Sequence, residues 1–139
     1  HPNVGFDVLN WDREANTILT FDDLFRDPEG ARGTMAEALK AGLLEEKRER
    51  LKGTGISEAQ MMESWVGPAF EGNSGVFHCF TVAPSSQAGK AGGLVYHFAP
   101  YEVGAYAEGV YTVGIGHDAF SGELKDDFSG AFGGELMMP

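Results

Sequence analysis

The chain has 139 residues, 42% of them hydrophobic and 22% charged, which is enough apolar content for one domain to bury a core. Its formal net charge of -11 argues against nucleic acid and anionic membrane surfaces as partners, because phosphate binding needs clustered lysine and arginine. One cysteine, Cys79, excludes an internal disulfide, and no apolar run approaches the ~18 residues of a membrane span, so no membrane insertion by this segment is expected.

The chain opens at His1-Pro2 rather than at methionine, the start expected of a processed chain or of a domain excised from a longer one. Val4 to Trp11 alternates as a strand with Val4, Phe6 and Val8 on one face. Asp12 to Asn16 then makes a polar turn into a returning strand at Thr17–Thr20. Thr20 and Asp23 bracket a short helical turn that carries Phe21, Leu24 and Phe25 inward, with Pro28 and Gly30 ending it. Thr34 and Glu37 have capping-box spacing, which predicts a helix from there to about Lys52. Its apolar stripe is Met35, Ala36, Leu39, Leu43, Leu44 and Leu51, and its charged run Glu45 to Arg50 faces water.

Ser57 and Gln60 form a second capping box, for a shorter helix bearing Met61, Met62, Trp65 and Val66 and closed by Gly67-Pro68. Glu71 to Gly75 reads as a loop. Val76 to Val82 is almost wholly apolar and predicts a central strand, and Pro84 to Gly93 predicts a long hairpin connection. Leu94, Tyr96 and Phe98 share one strand face, and Tyr111, Val113 and Ile115 share another. Residues 121–139 read as a loosely ordered tail. The pattern predicts an α+β domain over residues 1–139: a mostly antiparallel β-sheet with two main α-helices packed on one face.

Catalytic and metal signatures are weak. His78 and Cys79 are strand neighbours and point to opposite faces, so a shared ion is not expected, and His97 reads as a hydrogen-bonded sheet histidine. No metal site, cofactor or catalytic residue is predicted. The candidate binding residues lie in Phe98 to Gly109, where Pro100, Gly104 and Gly109 stiffen a turn that carries Tyr101, Glu102, Tyr106 and Glu108. Rigid tyrosines among acids suit a basic protein partner or a sugar-stacking platform; alternatively both rings pack over the sheet end. A hydrolase using Glu102 or Glu108 stands as the least favoured reading.

The Phe98-Ala99-Pro100-Tyr101-Glu102-Val103-Gly104-Ala105-Tyr106-Ala107-Glu108-Gly109 stretch resembles the F-x-P-Y-E/Q-V-x-x-Y-A-x-G signature of the bacterial domain of unknown function 3298 family. Ile18 to Phe25 looks like that family's other landmark, Leu-Thr-x-x-Asp-Leu-Phe. The resemblance implies an extracytoplasmic, periplasmic or secreted α+β domain of the kind found in RsiV-type anti-sigma factors and PdaC-type deacetylases. It further implies a cell-envelope binding module that recognises lysozyme or a similar basic protein, or else a peptidoglycan-binding accessory domain. The family pattern itself carries no mark of an enzyme.

Overall fold

A computed structural model describes residues 5–71 and 75–138. Its centre is a three-stranded antiparallel sheet in the order β3-β4-β5, formed by β3 (Phe80–Pro84), β4 (Ala91–Phe98) and β5 (Tyr111–Gly116). A separate two-stranded ribbon joins β1 (Trp11–Asp12) to β2 (Thr17–Ile18). The inward set of the sheet is the one its alternation predicts: Leu94, Tyr96 and Phe98 oppose Ile115, Val113 and Tyr111, and all six are buried.

Against that face lie α1 (Phe21–Leu24), the long α2 (Pro28–Arg50) and a helical stretch from α3 (Glu58–Met61) through a π-turn at Met62–Val66 to α4 (Gly67–Ala69). The α+β class and both main helical segments therefore hold. Ser57 caps α3 as expected, its hydroxyl accepting from the Gln60 amide at 3.2 Å while Gln60 accepts from the Ser57 amide at 2.8 Å. Thr20 and Asp23 also behave as read, the Thr20 amide donating to Asp23 at 2.8 Å, and Phe21, Leu24 and Phe25 are wholly buried.

Several boundaries differ. Helix α2 begins at Pro28, not Thr34: Asp27 is the cap, its carboxylate accepting from the Gly30 amide at 3.2 Å, and Pro28 occupies a first-turn position that needs no amide donor. Thr34 instead bonds back to the Gly30 carbonyl at 3.5 Å. The buried stripe is Ala31, Met35, Leu39, Leu43 and Lys47, so Lys47 faces inward, not to water. Residues 75–78 form a 3₁₀ turn and the strand starts only at Phe80. The expected first strand shrinks to Trp11–Asp12; Val4 lies outside the described residues, and Phe6 sets its ring 5.6 Å from that of His97.

The loop expected at 71–75 falls mostly on residues outside those described, as does Pro139. The tail, expected to be loose, is docked. Leu124 bridges to Phe25, Phe132 to Ala91 and Leu136 to Ser85, with Leu124 and Phe132 buried and α5 (Asp126–Ser129) between the first two. Leu136 and Met138 cross the sheet's outer face, where a side chain on Gly114 would strike both.

Candidate functional site

The turn after β4 is built from main-chain bonds that its sequence dictates. The Glu102 amide donates to the Ala99 carbonyl at 3.1 Å, closing a four-residue turn with Pro100 second and Tyr101 third. Tyr101 has φ 75°, the left-handed region that a turn of this kind normally assigns to glycine. The conformation persists because its surroundings enforce it: the Tyr101 amide donates to the Gly104 carbonyl at 3.1 Å, and the Glu102 carboxylate accepts from the Ala99 amide at 3.0 Å. The strain, about 1–2 kcal/mol, is held at an exposed aromatic residue.

Above this frame the Tyr101 ring lies 5.5 Å from that of Tyr106, tilted by 36°. Tyr101 remains 49% exposed, and Glu102 is exposed beside it. Neither ring is sunk in the core, and the tail docks at Phe25, Ser85 and Ala91, away from the turn. The structure thus brings Tyr101, Glu102 and Tyr106 together on one bend.

Glu108 is placed differently. Its side chain is 11% exposed and turns under the bend, where Oε1 accepts from Lys47 Nζ at 2.7 Å and from the Tyr111 hydroxyl at 2.6 Å; Oε2 accepts from the Ala105 amide at 2.9 Å. It is an internal clamp, not part of the outward surface. Burial pushes its carboxyl up, but the bonds from Lys47, Tyr111 and Ala105 outweigh that and hold it below the ordinary range. Burial and the bond to Glu108 push the Tyr111 phenol up in turn.

Arg50 completes the clamp, donating to the carbonyls of Glu108 at 2.8 Å and Val110 at 2.5 Å, with its guanidinium 3.9 Å from the Tyr111 ring centre. Gly104 is required here, since a β-carbon would meet both the Glu108 carboxylate and Lys47 Nζ. Lys47 and Arg50 are the residues that the sequence reading missed. The available signal was spacing: Lys47 falls four residues after Leu43 on the same helical stripe.

Beside the clamp is a cavity of about 290 Å³ walled by Leu51, Ile56, Met61 and Trp65. Elsewhere, His97 Nε2 pairs with the Thr81 hydroxyl at 3.0 Å, burial pushes the Cys79 thiol up, and the described residues contain no cluster of three metal-ligating side chains.

The fold and this turn define an α+β domain whose displayed feature is an aromatic and acidic bend locked to its longest helix. The chain belongs to the DUF3298 family of proteins of unknown function, whose profile matches residues 22–118. Two crystal structures of DUF3298 family members share the fold. The one from Bacteroides fragilis is 17% identical with a TM-score of 0.60, covering 88% of this chain and 42% of its own. The one from Pseudomonas aeruginosa is 19% identical with a TM-score of 0.51, covering 91% and 48%. The chain therefore spans less than half the length of these relatives. No curated protein sequence matches it.

Proposed function

We propose that this domain is a non-enzymatic binding module of the cell envelope, extracytoplasmic in location, whose Tyr101–Glu102–Tyr106 bend grips a basic protein such as lysozyme. The observation that carries the reading is Tyr101: a half-exposed aromatic ring held at φ 75°, where glycine would cost less. Pre-organised tyrosines lose little entropy on binding, and the neighbouring carboxylate with a net charge of -11 draws a cationic partner. A glycan hydrolase fits less well, because Glu108 is held ionised by Lys47 and Tyr111 and so is poorly suited to donate a proton near neutral pH.

Calorimetric titration with lysozyme at low salt tests the reading. Binding that weakens as salt rises is the expected result; no heat of binding at low salt contradicts it. The second reading, a peptidoglycan-binding accessory domain, draws on the Trp65 cavity beside the same turn. Co-sedimentation with purified cell wall that persists at high salt favours it over the first.

A further inference from the structure

The central sheet has two edges, and they are finished differently. At the β3 edge, Asn10 stands in for a neighbouring strand: its side chain donates to the Phe80 carbonyl at 2.8 Å and accepts from the Val82 amide at 3.2 Å. A register shift between Ala83 and Pro84 closes that edge further. At the β5 edge Arg50 caps only the Val110 carbonyl just before the strand, and within Tyr111–Gly116 no side chain among the described residues stands in for a neighbour. The pairing of β5 with β4 runs without a shift from Gly93↔Gly116 to Phe98↔Tyr111, and β5 contains no proline and no charged residue.

The direction of the unpaired groups follows from one bond. The His97 amide donates to the Cys79 carbonyl at 3.0 Å, so the main-chain groups of His97 point toward β3. Its partner Thr112 therefore points away from β4, and alternation sends Gly114 and Gly116 the same way. Among the described residues, the outward amides of these three and the outward carbonyls of Thr112 and Gly114 make no backbone hydrogen bond, while the Gly116 carbonyl caps the 3₁₀ turn at His117–Ala119.

This open ladder lies in a groove. Helix α2 packs on the Val113 face, where a β-carbon on Gly42 would strike Val113, and Leu136 and Met138 cover the Gly114 face. Between them is a cavity of about 340 Å³ lined by Thr112 and Gly114, by Glu45, Glu46 and Glu49 of α2, and by Leu136 and Met138. Glu46 is 3.8 Å from Arg50, whereas Glu45 and Glu49 have no ion-pair partner within 4.0 Å among the described residues.

We propose that the free edge of β5 is a docking edge for an extended basic segment of a protein partner, which adds as a fourth strand between the α2 carboxylates and the Leu136–Met138 strip. A strand laid about 4.8 Å from β5 turns alternate side chains toward each wall. Lysine or arginine alternating with apolar residues is thus the sequence that fits. A second copy of this chain fits poorly, because edge-to-edge pairing sets two rows of glutamates together on molecules of charge -11. The edge is separate from the Tyr101 bend, so each can fail without the other.

The probe is a fluorescent acetylated hexapeptide alternating lysine and valine, added to the intact chain at low salt, with amide hydrogen exchange and anisotropy as readouts. Exchange at Thr112, Gly114 and Gly116 is expected to slow at least tenfold. The same peptide N-methylated throughout, equal in charge but unable to extend the ladder, is expected to bind at least tenfold more weakly. The exposed double variant E45K/E49K is expected to bind as weakly as that, and Tyr101→Ala to bind as wild type. Equal binding of the N-methylated peptide, or unchanged exchange at the three amides, overturns the proposal in favour of unspecific charge attraction. Protection that grows with protein concentration and without peptide assigns the edge to a second copy and overturns it as well.

Discussion

Lys47 is 1% exposed, and a buried ammonium is tolerated only where a carboxylate and further hydrogen bonds compensate its lost hydration. Glu108 supplies that, and it also accepts from Tyr111 and Ala105. Glu108→Ala strands the ammonium and is expected to cost about 3 kcal/mol in urea unfolding, whereas the double change Lys47→Met with Glu108→Gln costs much less. The pH dependence has a defined sign. A carboxyl held below its ordinary 4.5 in the folded chain adds stability above that pH, and the contribution disappears as pH falls through the lowered folded value. Stability is therefore expected to hold down to about pH 5 and drop below it, with a shallower drop in the double variant.

At the scale of elements, the start of α2 shows how local signals compete. Thr34 and Glu37 have the spacing of a capping box, yet Asp27-Pro28 two helical turns earlier satisfies the same need with a lower-cost first residue, and Ala31 is then buried. Asp27→Ala is expected to destabilise by about 1 kcal/mol, and Thr34→Ala by less than about half of that, in thermal or urea unfolding. The hairpin strands were legible because alternation of 2.0 survives in Leu94–Phe98 and Tyr111–Ile115. Val76 to Cys79 was not, since an apolar run without alternation fits a 3₁₀ turn as well as a strand, and only Phe77 of it is in the core. The outward part of the site, Tyr101 with Glu102 and Tyr106, could be read from proline and glycine placement. The clamp beneath could not, because Lys47 and Glu108 are 61 residues apart and charge pattern alone assigns both to solvent. The tail was misjudged for a similar reason: Leu124, Phe132 and Leu136 are held by backbone bridges to Phe25, Ala91 and Ser85, partners far away in sequence that no local pattern records.

For the whole molecule, the clamp ties the Tyr101 bend to α2 and α2 to β5, so the displayed tyrosines rest on the same core that the sheet and helices share. On the proposed reading, a net charge of -11 makes association with lysozyme slow as ionic strength rises, while dissociation, set by tyrosine rings that the partner covers, changes little; stopped-flow mixing at two salt concentrations checks both rates. The central claim is that Tyr101 bears backbone strain in order to present its ring. Its most direct test is Tyr101→Gly, measured by urea unfolding and by calorimetric titration with lysozyme on the same preparation. Relief of the left-handed strain offsets the lost ring contact and glycine's added entropy, so stability is expected to stay within about 1 kcal/mol of wild type. Lysozyme affinity is expected to fall at least tenfold in that variant. A variant that unfolds more easily yet binds lysozyme as tightly as wild type would show a ring that serves only packing, and would contradict the account.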